Sequence, residues 1–400
     1  MVKTSRYGLL DSRRVNFGWA LQDLSHRPPN GGLSAPSGAD TTAWSEAKLA
    51  RLSFQLGVRK PTMVKELEPI RPDEAVEMYL QERATEVTHS TLKAHRYRLG
   101  HFLRWCDQKG IDNLNDITGR SLHRYKLWRR DDGDLNQVTV KTQMDTLRVF
   151  IRWCESVDAV EQDLHSKVLS PTLSDGQNQR DVLLDSVNAS TILEHLRRFD
   201  YASFDHVLLE VLWHTGIRIG GAHSLDISDY DPDGEYLRVQ HRPETPLKNK
   251  DKGERLVALS ADVCAVMDDW LAHSRPDVVD DAGREPLLAT THGRPHKTTL
   301  REAVYRWTRP CKYSADCPHD RNEADCEAAD SQQKAASKCP SSVSPHAVRR
   351  GAITHFLTKD VPEKVVSDRM NVSPEVLDKH YDRRSEEVKV EQRREYLDGV

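Results

Sequence analysis

His346 and Arg349, in the stretch "SPHAVRRGAITHFL" (residues 344–357), are the first residues that could do chemistry together. Ser344 and Pro345 are typical of a helix start, so the stretch predicts a helix. A spacing of three residues puts the imidazole and the guanidinium on one face of that helix. Such a face is suited to binding an oxyanion, because a guanidinium can hold two oxygens at once.

Arg218, in "HTGIRIGGAHSLDISDYD", is a second candidate. It follows a Thr-Gly turn at the end of a strongly apolar helical pattern and stands between two isoleucines. A guanidinium in such a place is costly to bury without an anionic partner. One interpretation is a structural ion pair with Asp226 or Asp229, and the other is contact with a bound anion.

Two lysines and a tyrosine add further reactive groups. "KNKDKGERLVAL" belongs to a predicted β-hairpin whose charged turn carries Lys248 and Lys250. An ammonium above a site would serve proton donation or phosphate contact, although lysines in turns are usually solvated. Tyr381, in "VLDKHYDRRSEE", follows a helical run, where a tyrosine more often fills a core.

The elements that must position these groups are mostly helical. Residues 63–168 show apolar residues at helical spacing and predict a bundle of four or five helices. Residues 81–130 hold eleven Lys/Arg against five Asp/Glu, with aromatic residues interleaved. This excess predicts contact with phosphate groups, the alternative being a solvated helix face. The candidate contacts are Lys93, Arg96, Arg98, Arg124, Lys126, Arg129 and Arg130.

The rest of the chain divides by composition. Residues 1–62 are rich in Pro, Gly and Ser and predict a flexible tail, and residues 169–182 predict a polar linker. Residues 183–400 predict a second α-rich domain with a small β-hairpin. The predicted fold class is therefore mainly α. The closing segment "SEEVKVEQRREYL" could pack on its own chain or on a neighbouring protomer.

Composition excludes several classes of protein. Of the 400 residues 37% are hydrophobic and 30% charged, and the net charge is −4, so any basic surface is local. No run approaches the ~18 apolar residues of a membrane span. The N-terminus lacks a signal-peptide core, which predicts a cytoplasmic protein. Seven cysteines then indicate reduced thiols or metal ligands rather than disulfides, with Cys106, Cys154 and Cys264 expected in the cores.

Taken in order, Arg, hairpin Lys, His-x-x-Arg and Tyr resemble the motifs of the tyrosine recombinases, the phage-integrase and Xer-type site-specific recombinases. The resemblance covers residues from about 70 to 385. It implies a SAM-like helical DNA-binding bundle followed by a catalytic domain of the DNA breaking-rejoining type. Asn371 stands near the place where the family often has His or Trp, and we expect its amide to donate to a phosphate oxygen. The implied catalytic residues are Arg218, Lys248 or Lys250, His346, Arg349, Asn371 and the nucleophile Tyr381.

The resemblance implies an enzyme that cleaves and rejoins DNA through a 3′-phosphotyrosine ester, without ATP or a catalytic cofactor. Its partner would be double-stranded DNA, bound by a homotetramer on paired sites, with no membrane and no small-molecule substrate. Two alternatives stay open. One is a type IB-like topoisomerase, and the other is a catalytically silent DNA-binding protein of the same fold.

A cysteine-rich insert at residues 311–339 lies outside the family pattern. Four of the seven cysteines fall in this stretch just before the His-x-x-Arg motif. Thiolates with an imidazole predict a structural zinc site, although paired C-x-x-C motifs are missing; the alternative is a polar insert with unpaired cysteines. The candidate ligands are Cys311, Cys317, His319, Cys326 and Cys339.

Overall fold

The computed structural model describes residues 66–174, 177, 182–314, 317–330, 335–394 and 397. The predicted tail, residues 1–62, lies outside this part of the chain. The described residues form thirteen α-helices and a three-stranded sheet, in agreement with the mainly α prediction. In chain order the elements are α1 (Pro72–Arg83), α2 (His89–Lys109), α3 (Gly119–Asp132), α4 (Gln137–Ser156), α5 (Ser186–Phe199), α6 (Phe204–Thr215), α7 (Ile219–Ser224), β1 (Tyr230–Asp231), β2 (Tyr236–Val239), β3 (Arg255–Ala258), α8 (Ala261–Asp269), α9 (Lys297–Trp307), α10 (Pro345–Thr358), α11 (Glu363–Met370), α12 (Pro374–His380) and α13 (Glu386–Arg394).

Helices α1 to α4 enclose the first of two large hydrophobic cores. Polar caps set where the helices begin: Thr88, Thr118 and Asn136 each accept a hydrogen bond from an N–H of the first turn. Aromatic rings fill the centre, and Phe102 meets Tyr125 edge-on with ring centroids 5.3 Å apart. Such a contact is typically worth about 0.5–1.5 kcal/mol beyond its burial. The predicted helical bundle is therefore present.

The second large core lies between helices α5 to α10 and the sheet. The sheet is antiparallel with strand order β1-β2-β3. Leu237 lies opposite Val257 and both are buried, while Arg238 and Leu256 beside them are exposed. This alternation is the period of a half-buried strand and accounts for the hairpin predicted from the sequence.

Helix α10 is tied to the segment that enters the second core. The N–H of Leu184 donates to the Ala347 carbonyl at 3.1 Å. A Cβ on Gly351 would collide with the Leu184 carbonyl, so glycine is required for this close approach. The contact holds the helix that carries His346 and Arg349 against the start of the domain.

The last helices pack on the C-terminal part of α10. Ile353, Leu357 and Met370 belong to a third, smaller core formed there. Gln392 on α13 donates through Nε2 to the Leu357 carbonyl at 2.7 Å. The closing segment therefore packs on its own chain, and packing on a neighbouring protomer stays a prediction.

Two further expectations concern membrane-spanning helices and the cysteines. Among the helices of the described ranges, none combines the length and apolar character that a bilayer crossing requires. All seven cysteines are free thiols, and Cys106, Cys154 and Cys264 are buried, as expected for core residues.

Candidate active site

Arg218 stands just before α7, directly after a sharp turn. Helix α6 ends at Gly216, whose φ of 56° is left-handed, and a Cβ there would meet Met370 Sδ at 2.6 Å. Arg218 Nη1 donates to the Asn371 carbonyl at 3.1 Å. The turn therefore sends the guanidinium across to the end of α11.

The carboxylates that could have paired with Arg218 are occupied by other arginines. Asp226 pairs with Arg294 and lies 3.3 Å from Arg284, and Asp229 binds Arg242 at 2.6 Å. The interpretation of Arg218 as a structural ion pair with either aspartate is therefore wrong. Its positive charge remains available for an external anion.

Arg349 is almost completely buried, with 1% of its surface exposed. Its Nη2 donates to the Met370 carbonyl at 2.7 Å and its Nη1 to the Gly216 carbonyl, while its Nε has no partner among the described residues. Burial lowers the pKa of Arg349 to about 10, and the charge of Arg218 acts in the same direction. Two neighbouring guanidiniums without a carboxylate form a costly arrangement that a bound anion would relieve.

Tyr381 and His346 complete the cluster around Arg349. Tyr381 is 4% exposed, and the Arg349 Cζ lies 5.5 Å from its ring centroid. The His346 ring meets the Tyr381 ring edge-on, with centroids 5.7 Å apart. Burial lowers the pKa of His346 to about 4, and the surrounding arginines add to this effect. The imidazole is therefore neutral at pH 7.

The structure separates the two candidate lysines. Lys248 lines a cleft beside Arg218, and its charge adds to the effect of burial on the pKa of His346. Lys250 begins a 3-10 turn with a left-handed φ of 48°, is exposed and lies outside the lining of that cleft. Lys248 is therefore the better placed of the two to reach a ligand of Arg218.

Asn371 holds the lysine loop against α11. It ends that helix with a left-handed φ of 48°, a conformation that asparagine adopts more readily than most residues. Its Nδ2 donates to the Lys252 carbonyl at 3.0 Å, and its Oδ1 accepts from Asn249 Nδ2 at 3.0 Å. The amide expected to donate to phosphate is thus engaged with the loop that carries Lys248.

The cleft lies between the two large cores and has a volume of about 560 Å³. Its lining includes Arg218, Lys248 and Arg255 on one side and Thr88 and Thr91, from the start of α2, on the other. Residues of the N-terminal bundle therefore face the candidate catalytic groups directly.

Arg255 is a member of this cleft that the motif pattern did not single out. Its Nε donates to the Arg369 carbonyl at 2.7 Å. Burial lowers its pKa to about 10, and the charges of Arg349 and Arg218 act in the same direction. The one available signal was an arginine opening an apolar strand just after the lysine loop, and that pattern is common in solvated strands.

The predicted DNA contacts on α2 are partly engaged within the bundle. Lys93 is exposed. Arg96 pairs with Glu77 at 2.6 Å, and Arg98 donates to Thr146 Oγ1 at 3.0 Å. Of these three, Lys93 keeps the most freedom to contact a backbone phosphate.

Helix α3 carries the other four predicted contacts. Arg124 and Arg130 are exposed, and Lys126 lines a groove of about 590 Å³. Arg129 is only 5% exposed and donates from Nε to Gln143 Oε1 at 2.8 Å. The expectation for Arg129 is therefore wrong: its side chain ties α3 to α4 inside the bundle.

The cysteine-rich insert does not assemble its candidate ligands. Within the described ranges, no group of three or more His, Cys, Asp or Glu side chains is arranged to hold a metal ion. His319 Nε2 instead lies 2.9 Å from Ser341 Oγ. Zinc binding therefore stays a prediction. The four insert cysteines, Cys311, Cys317, Cys326 and Cys339, are partly exposed.

Two family models match the chain. That of the phage integrase family matches residues 183–384, half of the chain, and that of the phage integrase N-terminal SAM-like domain matches residues 77–156. The protein therefore belongs to the phage integrase family of tyrosine recombinases. The resemblance seen in the sequence motifs is confirmed.

Named bacterial recombinases are similar to the chain. Tyrosine recombinase XerC 2 of Ralstonia nicotianae is 25% identical over 218 residues, which cover 53% of this chain and 60% of that protein. Tyrosine recombinase XerD of Mycobacterium leprae is 25% identical over 296 residues, covering 71% and 83%. The chain thus spans about 60% of the length of the Ralstonia relative.

Solved structures share the fold. A lambda integrase dimer bound to a COC′ core site matches with a TM-score of 0.55 at 13% identity, over 84% of this chain and 85% of that one. The Tn1549 transposon integrase in complex with a circular intermediate DNA matches with a TM-score of 0.56 at 15% identity, over 81% and 99%. A lambda integrase tetramer bound to a Holliday junction gives 0.54 at 15%, over 85% and 87%. The predicted fold type is confirmed.

Proposed function

We propose that this protein is a site-specific DNA recombinase that cleaves and rejoins DNA through a covalent 3′-phosphotyrosine intermediate. One observation carries the proposal: a tyrosine, a neutral histidine, a buried arginine and a half-buried arginine form a single cluster, and a lysine lies at its rim. Among the described residues, no carboxylate pairs with the arginines of this cluster. Family membership supports the same activity. The residues are Arg218, Lys248, His346, Arg349 and Tyr381.

The chemical step exchanges one phosphoester bond for another. The Tyr381 oxygen attacks phosphorus, the bond from phosphorus to the 5′-oxygen breaks, and the 3′-phosphate stays on the tyrosine. The reverse attack by a 5′-hydroxyl restores DNA, so no energy source is needed. Arg218 and Arg349 would bind the non-bridging oxygens, and removing such a preorganised contact typically raises the barrier by roughly 3–4 kcal/mol.

Two proton transfers accompany this exchange. A free phenol has a pKa near ~10, so its proton needs an acceptor at neutral pH. His346, which is neutral because burial lowers its pKa to about 4, can accept that proton from Tyr381. The ammonium of Lys248 can donate a proton to the leaving 5′-oxygen.

We also propose double-stranded DNA as the partner and a homotetramer on paired sites as the active assembly. The lambda integrase with the same fold was solved as a tetramer on a Holliday junction, which supports the assembly. In the proposed division, residues 63–168 and residues 183–400 hold the duplex between them and residues 169–182 connect them. Exposed Lys93, Arg124 and Arg130 would contact backbone phosphates.

A structural zinc in the insert is a separate proposal. Burial raises the pKa of the Cys311 thiol, and Cys339 and Cys317 act in the same direction, which indicates that the three thiols lie in one region. Zinc would have to draw them together. We expect about one zinc per purified chain by mass spectrometry and a large loss in Cys317→Ser; a metal-free wild-type chain would contradict the proposal.

The decisive test is covalent capture of DNA. A library of random duplexes, each with a nick that lets the cleaved end diffuse away, is incubated with the purified chain. We expect a denaturation-resistant protein–DNA adduct whose linked peptide contains Tyr381. Tyr381→Phe should abolish the adduct, while Tyr97→Phe, which alters an exposed tyrosine of the bundle, should leave it intact.

The same assay separates the alternatives. A wild-type chain that binds DNA without any adduct would be a silent DNA-binding protein and would overturn the proposal. An adduct accompanied by relaxation of supercoiled plasmids, with no recombinant product from paired captured sites, would indicate a topoisomerase. Recombinant products that require Tyr381 would establish strand exchange.

A further inference from the structure

Lys297 is a cation of the cleft that the chemistry above does not use. It is the first residue of α9 and lines the same cleft as Arg218 and Lys248. A Cβ built on Gly220 would have a single neighbour within 4 Å, the Lys297 Nζ at 4.0 Å. The ammonium therefore lies over a part of α7 that has no side chain of its own, two residues along from Arg218.

The surroundings provide no anion for this ammonium. Burial alone lowers the pKa of Lys297, with no carboxylate acting on it, and the first turn of α9 contains no acidic residue. The aspartates of this region, Asp226 and Asp280, are both paired with Arg284 and Arg294. A lysine at a helix N-terminus also lies at the positive end of the helix dipole, where a cation is unfavourable.

The adjacent imidazole does not neutralise the charge either. Burial lowers the pKa of His223 to about 4, and the charge of Lys297 acts in the same direction. His223 Nδ1 is buried without a hydrogen-bond partner among the described residues. The edge between α7 and α9 therefore holds a partly dehydrated cation that the fold itself does not compensate.

We propose that Lys297 binds the phosphate next to the scissile phosphate on the same DNA strand. The inference rests on the proposed function, because Arg218 defines where the scissile phosphate lies and Lys297 is beside it. An ammonium is a compact charge that suits a single phosphate. Fixing two successive phosphates sets the register of the strand, so that the scissile phosphorus stands opposite the Tyr381 oxygen.

The test combines a protein substitution with DNA in which single phosphates are made neutral. Captured duplex sites are synthesised with one methylphosphonate at each position around the cleavage point, and single-turnover cleavage is measured. On unmodified DNA, Lys297→Ala should cleave about tenfold more slowly and bind with a salt-dependence exponent lower by about one. Lys297→Arg should recover most of the rate, and Arg301→Ala, which removes an exposed charge one turn along α9, should match wild type.

One neutral position should reveal the contact. At the phosphate adjacent to the cleavage point, wild type and Lys297→Ala should cleave equally slowly, because the charge pair is already missing. If Lys297→Ala cleaves unmodified DNA like wild type, or keeps its tenfold deficit at every neutral position, the inference is overturned while the recombinase proposal stands. If wild type forms no tyrosine-linked adduct at all, both are overturned.

Discussion

Two groups of arginines in residues 183–384 differ in what they bind. The paired cluster consists of Arg242, Arg284 and Arg294 with Asp226, Asp229 and Asp280. The open cluster consists of Arg218, Arg255 and Arg349, whose side chains donate to backbone carbonyls. Arginines that stabilise the fold thus have carboxylates built in beside them. The arginines of the open cluster repel one another, and a bound anion would relieve that repulsion, as the proposed phosphate site requires.

The largest effect on folding should come from breaking the paired cluster. Arg294 is buried between Asp226 and Asp280, so Arg294→Ala leaves two buried carboxylates short of a partner. We expect the free energy of unfolding to fall by about 3–5 kcal/mol. Urea denaturation measures this, with exposed Lys364→Ala as the control expected to change stability by less than about 0.5 kcal/mol. A small loss in Arg294→Ala would mean that the pairing is not structural.

Arg349→Ala, in contrast to Arg294→Ala, should impair DNA cleavage more than folding stability. Removing this guanidinium loses its bonds to the Gly216 and Met370 carbonyls but also takes away repulsion with Arg218, so folding stability should fall by less than is expected for Arg294→Ala. Single-turnover cleavage of captured DNA should slow by roughly 10²–10³-fold, corresponding to about 3–4 kcal/mol of barrier. If Arg349→Ala unfolds the chain while the few molecules that remain folded cleave normally, the distinction between the two clusters is lost.

An inorganic anion should bind the open cluster and not the paired cluster, with a smaller effect on folding stability. Inorganic phosphate or sulfate at tenfold its dissociation constant should stabilise the folded chain by about 1.4 kcal/mol if it occupies the open cluster. Thermal unfolding at constant ionic strength measures this against chloride. The gain should disappear in Arg218→Ala and persist in Lys364→Ala, and equal stabilisation of both variants would place the anion elsewhere.

A pH-dependent effect concerns His346, at the border of the open cluster. Its folded pKa is lowered from 6.5 to about 4, so the unfolded chain takes up this proton first as the pH falls. The stability contribution is complete above pH 6.5 and is lost progressively as the pH falls towards 4. Between pH 7 and 5, wild type should therefore lose more stability than His346→Gln. An imidazole NMR titration centred near 6.5 would contradict this.

The chemical groups of the site were largely readable from the sequence. Helix caps, apolar periodicity and the spacing of His346 and Arg349 are local features, and such features can be recognised in the sequence alone. The order of Arg218, the lysine loop and Tyr381 added a family resemblance. The same local view could not separate a solvated lysine from one that faces a cleft, so Lys248 and Lys250 remained equivalent.

The contacts of Arg129 and Asn371 that the sequence did not reveal have a common cause. Arg129 has the composition of an exposed helix face, but a hydrogen bond to Gln143 makes it part of the bundle. Asn371 lines the cleft, but the sequence did not show that its amide also binds the lysine loop from both ends. In each case the partner belongs to a different element, and the sequence pattern around a residue does not identify that partner.

By itself, the sequence determined the helical class, the hairpin and the choice of candidate reactive groups, because these depend on residue type and on neighbours within a few positions. Tertiary structure alone decided which charges would be compensated. Asp226 lies eight residues from Arg218 in the chain but binds Arg294, 68 residues away, whereas Arg218 reaches Asn371 across 153 residues. Long-range packing determines these partners, because burying a charge costs desolvation energy that only well-placed hydrogen bonds or opposite charges offset. Those contacts exist only after the elements have assembled.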